Sequence, residues 1–162
     1  MALAKARPCP CTSGKTYGAC CAPYHEGKAS VHDAESLVRA RYSAFALGEI
    51  DFLWQTLHEE HPDRVKHPKE RVLAALRHAS SSFKYMGLRI LESRPEDEAG
   101  VARVLYVARL FRKGVNVSFA ELAEFMREAG APRYRAGKVK DATDEAAVAS
   151  LAIDGFQGDP AS

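Results

Sequence analysis

No stretch of the 162 residues approaches the roughly 20 consecutive apolar positions that a membrane-spanning helix needs. The opening, MALAKARPCPC, lacks the apolar core of a secretory leader. No segment recurs at a fixed period, which excludes a repeat array. A strong excess of one charge is also missing: 23 Lys and Arg against 21 Asp and Glu leave a net charge of +2, a weak signal for a polyanionic partner. Cysteine does not occur after Cys21, and neither Lys nor Arg occurs after Lys140. With 46% hydrophobic and 27% charged residues, disorder throughout the chain is excluded as well. These absences lead to the expectation of a cytoplasmic protein with no membrane partner. A chain of this length hides roughly two-thirds of its unfolded surface, enough for one domain and a small appendage.

What is present changes character along the chain. Residues 8–27 are rich in Pro, Gly, Cys and small polar types, without apolar periodicity, so this segment has no core of its own. Asp33 then reads as an N-cap, followed by Ala34, Leu37, Val38, Tyr42 and Phe45 at helical spacing, with Gly48 as the stop. Asp51 reads as the cap of a second short helix, ended by His61-Pro62, and a third helix after Pro68 fades in Ala79-Ser80-Ser81-Ser82. From Phe83 the period becomes that of strands: 83–93, then 101–112, whose even positions Val104, Tyr106, Ala108 and Leu110 are apolar. Lys113-Gly114 turns the chain into Val115, Val117 and Phe119. The alternation slips between Phe119 and Leu122, which suggests a bulge, and residues 120–129 fit strand or helix equally. A last strand is expected from Arg133 to Lys140 after a Gly130-Ala131-Pro132 turn, and residues 142–162 read as an acidic, flexible tail. Helices first and antiparallel strands after give an α+β fold, with helices packed on a curved sheet to form a cone. The expected division is 1–30, 31–141 and 142–162.

All four cysteines fall in the run CPCTSGKTYGACC: Cys9, Cys11, Cys20 and Cys21. Disulfides fit poorly, because adjacent Cys20 and Cys21 do not easily bridge and nothing indicates an oxidising compartment. A redox thiol pair needs two cysteines, not four. A closed tetrahedral site uses all four, which points to structural Zn2+. Metal binding then supplies the folding energy that the coreless segment lacks, on the order of 10 kcal/mol. His25 is a reserve ligand; the plainer reading places it toward solvent. Ser13-Gly14-Lys15-Thr16 is not the end of a P-loop, since Cys9 stands where that motif has glycine. Loss of the metal is expected to unfold residues 8–27 and leave the domain from Asp33 folded.

This run resembles the SEC-C motif, a small zinc module known from the C-terminal end of the preprotein translocase ATPase, matching at Cys9, Pro10, Cys11, Ser13, Gly14, Lys15, Tyr17, Cys20 and Cys21. The following PYHEG and AESLVRARYSAFALGEIDFLWQTLH resemble the YchJ-like family of small bacterial proteins. The resemblance implies a SEC-C module ahead of a domain similar in fold to nuclear transport factor 2. It implies no reaction. Many relatives end in a second SEC-C motif, whereas this chain ends in an acidic stretch without cysteine.

A concave pocket would draw on Arg41, Tyr42, Trp54, His58 and Arg109, where an arginine suits an anionic ligand. The plainer reading makes Tyr42 and Trp54 core aromatics, Arg103 and Arg109 solvent-reaching side chains, and His58, His61 and His67 solvated loop residues. No acid–base pair stands out, so no enzymatic activity is assigned. The expected function is that of an adaptor whose zinc module, flanked by Lys5, Arg7, Lys15 and Lys28, docks on a protein partner or the ribosome. Nucleic acid alone is disfavoured for want of a stacking platform, and a homodimer pairing across exposed sheet faces is compatible with the pattern. The alternative is a small-molecule-binding protein or enzyme that uses the cone pocket.

Overall fold

A computed structural model describes residues 2–161. A short helix α1 (Ala2–Lys5), a 3-10 turn (Tyr17–Ala19) and α2 (Ala22–His25) belong to the N-terminal module. Then follow α3 (Ala34–Leu47), α4 (Ile50–Gln55), α5 (Pro62–Lys66) and α6 (Lys69–Ser82). The bounds of α3 are those the sequence predicts. The Asp33 carboxylate accepts from the Ser36 amide at 2.8 Å, and Gly48 takes the left-handed φ of 76° that ends the helix. Elsewhere the helix ends differ. α4 starts two residues early, with Glu49 rather than Asp51 at its N-cap. His61-Pro62 starts a helix instead of ending one, because proline at the first turn has no amide to leave unpaired. The serine run stays helical through Ser82, with the Ser80 hydroxyl donating to the Phe45 carbonyl at 2.6 Å.

The strands are β1 (Lys84–Arg94), β2 (Ala102–Arg112), β3 (Val115–Asn116), β4 (Phe119–Glu128) and β5 (Ala131–Asp141). After them come α7 (Glu145–Val148) and β6 (Asp159–Pro160). The sheet is antiparallel in the order β1-β2-β4-β5-β6, with β3 pairing β2 beside this path. Lys113 and Gly114 both have positive φ (49° and 79°), the type I′ geometry whose twist suits a two-residue hairpin. The same geometry recurs at Ala129 and Gly130, so the last turn lies one residue earlier than expected and β5 already begins at Ala131. Residues 120–128 are strand because β2 pairs with them on one side and β5 on the other, and Ala129 belongs to the turn; tertiary pairing overrides their helical composition.

No bulge separates Phe119 from Leu122: the β2–β4 register runs unbroken from Phe119 to Phe125. The register shifts fall instead at Tyr85/Gly87 and Ile90/Glu92 in β1, and at Glu124/Phe125 where β4 meets β5. The alternation slips for another reason. Glu121 occupies an inward position among Phe119 and Phe125, while Ala120 faces outward yet is buried.

That outward burial comes from residues 142–161, which are not a loose tail. Ala142, Val148, Leu151 and Phe156 pack on Val107, Ala120 and Leu91 of the outer sheet face. The Ile153 amide donates to Glu92 at 2.8 Å, Arg94 grips Asp154 through two bonds of 2.9 and 3.0 Å, and β6 extends the sheet on β5. The apolar alternation of 148, 151, 153 and 156 is too sparse to reveal this in sequence. Residues 142–161 thus cover part of the sheet face through which two copies could pair. On the inner face, α3 lies across the sheet with Leu37, Leu53, Val104 and Phe125 fully buried.

Candidate functional site

The residues between the cysteine pairs fold into a tight knuckle. The Cys9 amide donates to the Lys15 carbonyl (2.9 Å), the Thr12 amide to the Cys9 carbonyl (3.1 Å), and Gly14 sits at φ 85° where a side chain would be strained. This brings the four sulfurs within 4.8 Å of one another. The Cys11–Cys20 and Cys20–Cys21 sulfurs are 3.6 and 3.8 Å apart. That is too far for a disulfide, and the four thiols are free. Ligands bound at about 2.3 Å around a tetrahedral ion stand about 3.8 Å from each other, so the donor set fits one divalent ion. Cys9, Cys11 and Cys21 are buried, and no position faces solvent broadly.

The electrostatics point the same way. Hydrogen bonds from Cys21 and Cys9 hold the Cys11 thiol far below its ordinary range. Those shared bonds push Cys21 far up, and burial raises Cys20. One thiolate is thus favoured while Cys20 and Cys21 resist ionisation, a balance that a bound cation would shift toward the thiolates. Ser43 of α3, fully buried, places its hydroxyl 3.3 Å from the Cys9 sulfur and 3.4 Å from that of Cys21. Such outer contacts orient metal ligands.

The module is joined to the cone rather than appended to it. Thr12 donates to the Leu88 carbonyl (2.6 Å) and accepts from the Leu88 amide (3.1 Å), covering the free edge of β1. Arg39 donates to the Cys11 carbonyl at 3.0 Å. His25 is neither a ligand nor turned to solvent: it hydrogen-bonds the Tyr17 hydroxyl (2.7 Å) and the Ala40 carbonyl (2.8 Å) while packing on Phe52. Cys9, Cys11 and Cys21 share one buried cluster with Leu37, Val38 and Leu88. A module that unfolds alone is therefore not what this packing predicts.

The second site is a cavity of about 540 Å3 between α3, α6 and the concave face of β2, β4 and β5. Of the pocket candidates, Arg41 and Tyr42 line it. Trp54, His58 and Arg109 do not. Trp54 lies outside, with the Arg64 guanidinium 4.4 Å and the Lys69 ammonium 5.4 Å from its ring centre. His58 is buried in the backbone junction, its amide donating to the Tyr134 carbonyl at 2.8 Å and its Nδ1 accepting from the Glu60 amide. Arg109 is exposed on the outer face, because its odd position in β2 points away from the cone.

Glu121, Tyr106, Tyr134 and His61 are the cavity residues that sequence reasoning missed. A polar residue at an inward position was the available signal for Glu121, masked by the strand-or-helix ambiguity. The solvated-loop reading of His58 and His61 fails: they are 6% and 3% exposed. Burial pushes the Glu121 carboxyl up, opposed by hydrogen bonds from Tyr134 and Tyr106; the Tyr134 hydroxyl donates to it at 2.7 Å. Arg41, also buried, donates from Nη1 to the Leu53 carbonyl (2.8 Å) and the Thr56 hydroxyl (2.6 Å), with the Tyr134 ring centre 4.9 Å away.

Burial lowers His61 from 6.5 to about 4, partly opposed by Asp63. An unfolded chain then takes up that proton first on acidification, so the fold loses stability as pH falls from 6.5 toward about 4. Glu121, shifted up, acts in the opposite sense: its contribution is lost as pH rises through its folded value. Replacing His61 with Asn, which keeps an N-cap acceptor for the Asp63 amide, is expected to flatten the acid decline in the urea midpoint. An unchanged slope would assign the decline to other groups.

Comparison with known proteins places both parts. Residues 8–23 match the SEC-C motif, and residues 33–137 match the YchJ middle domain, described as NTF2-like. A UPF0225 protein of Bordetella pertussis is 38% identical over 122 residues, covering 74% of this chain and 84% of that protein. The UPF0225 protein YchJ of Shigella dysenteriae is 30% identical over 122 residues, covering 75% and 76%. The solution structure of a SEC-C motif containing protein from Rhodopseudomonas palustris superposes with a TM-score of 0.69 at 29% identity, covering 82% of this chain and 98% of that one. A SEC-C motif containing protein from Psychrobacter arcticus shares the fold at 22% identity, with a TM-score of 0.66 over 93% and 87% of the two chains. Among the described residues no helix is long and apolar enough to cross a membrane. Knuckle, cone and relatives agree: the chain belongs to the YchJ, or UPF0225, family, with a SEC-C motif ahead of the NTF2-like domain.

Proposed function

We propose that the protein binds a small molecule in its cone cavity and that one Zn2+, held by Cys9, Cys11, Cys20 and Cys21, is a structural ion. Four sulfur ligands with no open position give the metal no place for a substrate or water. The observation that carries the ligand-binding reading is the cavity itself: a largely apolar space into which Arg41, His61, Glu121 and Tyr134 converge. Its volume falls within the roughly 300–1,000 Å3 of ligand sites. A buried arginine and a buried carboxyl have no structural need to meet at an open space, since charged groups in a core are normally paired.

Titration of the zinc-loaded, 15N-labelled chain with 1-octanol or octanoate is expected to shift amide resonances of Ala108, Leu110, Phe119 and Tyr134 together. If neither amphiphile shifts them, the cavity is not the ligand site.

The adaptor reading is second. Arg7 and Lys15 remain exposed and support it. Lys5 and Lys28 both pair with Glu26, whose one carboxylate offsets part of the basic charge expected to meet a protein or the ribosome.

A further inference from the structure

We infer that the cavity takes a singly charged carboxylate on an apolar body, with the carboxylate against Arg41 and the hydrocarbon along the cone wall. The inference rests on the cavity being the ligand site. Arg41 is only 8% exposed, and its two hydrogen bonds to protein both leave from Nη1 and end on neutral oxygens. A guanidinium carries five N–H donors in a planar fork. Among the described residues no carboxylate lies within 4.0 Å of this one. A guanidinium with no contacting carboxylate thus lines an open space with donors that no protein atom takes up, and a bound anion would accept from them.

A second donor points to the same chemistry. The Asp63 amide donates to His61 Nδ1 at 3.2 Å, so the neutral ring carries its proton on Nε2. That Nε2–H has no acceptor among the described residues, and His61 lines the cavity. Glu121 acts on Arg41 only through space: it makes no hydrogen bond with Arg41 or His61, and its carboxyl, which burial pushes up, accepts from Tyr134. Val38, Leu76, Ala108, Leu110 and Phe119 give the rest of the wall a mainly hydrocarbon surface, beside the tyrosines Tyr42, Tyr85 and Tyr106. A phosphate dianion suits the site less well. Among the described residues Arg41 is the single buried arginine or lysine, Lys140 at the rim is exposed, and Asp63, Glu121, Asp141 and Asp159 line the same space.

The test is calorimetric titration of the full, zinc-loaded chain with octanoate, octanamide, 1-octanol and octyl phosphate. Octanoate is expected to bind about 10- to 100-fold more tightly than octanamide, the range of a charge-assisted hydrogen bond. In Arg41→Met that preference should vanish while 1-octanol affinity holds. Octanamide or 1-octanol binding as well as octanoate would overturn the carboxylate assignment and leave the cavity reading standing. Octyl phosphate binding more tightly than octanoate would overturn the single-charge assignment. Binding of none of the four would overturn the cavity reading itself. If Arg41→Met does not fold, the comparison of the four probes on the unaltered chain still decides.

Discussion

Replacing Cys21 with Ser is expected to release the metal and to destabilise the whole chain, not the N-terminal knuckle alone. Cys21 is 1% exposed and lies in the same buried cluster as Leu37, Val38 and Leu88. Its sulfur accepts from Ser43 of α3, and α2 begins at the next residue. Losing the ion leaves three thiols that repel one another when ionised. It also frees a segment otherwise tied to the cone through polar contacts such as Thr12 on β1, Arg39 on the Cys11 carbonyl and His25 on Ala40. Loss of a structural metal belongs to the few single changes that exceed about 4 kcal/mol. For a chain of this size that corresponds to a fall of about 8–16 °C in the melting midpoint. Elemental analysis of anaerobically purified protein should find about one Zn2+ per chain before the substitution and none after. A metal-free variant that melts at the original temperature would show that the cone folds without its knuckle.

Gly137→Ala should damage the cavity from the opposite side of the sheet's inner face. A Cβ at this position would stand 2.6 Å from both the Glu121 carboxylate and the Tyr134 hydroxyl, and 2.9 Å from the Glu121 carboxyl carbon. Real Cβ atoms do not approach so closely. Both neighbours are held in place by their mutual 2.7 Å hydrogen bond and by burial, so they have little room to retreat. Overpacking of this kind costs about 1–3 kcal/mol, and here it also separates a buried carboxyl from its donor. The urea midpoint should fall accordingly. Combining Gly137→Ala with Tyr134→Phe, which removes one of the crowded oxygens, should cost less than the sum of the two single changes. Full stability of Gly137→Ala would mean that Glu121 moves freely and is not held in place by Tyr134.

The cavity shows where sequence reasoning reached its limit. Arg41 was identifiable because it interrupts the apolar stripe of an amphipathic helix whose period is unmistakable. Glu121 was not, because AELAEFMREA favours a helix locally and only its pairing with β2 and β5 fixes which side chains face inward. Arg109 failed as a candidate by parity alone. One residue to either side, Ala108 and Leu110, lines the cavity. His61 reads as a loop residue because Pro62 follows it, yet that proline opens α5, and the histidine caps it while packing 5.0 Å from the Tyr134 ring.

The amino-acid sequence by itself determined the sulfur quartet, the boundaries of α3 and the order of helices before strands. Each of these rests on local rules: ligand spacing within one short loop, capping chemistry within one turn, and apolar period within one element. Only the tertiary structure decided that the knuckle is part of the core, that residues 142–161 cover the outer sheet face, and that Arg41, His61 and Glu121 share one cavity. Those outcomes depend on contacts between residues far apart in the chain, such as Thr12 with Leu88, Glu92 with Ile153 and Glu121 with Tyr134. No local propensity encodes such contacts, because each becomes favourable only after the sheet has set the register that brings its partners together.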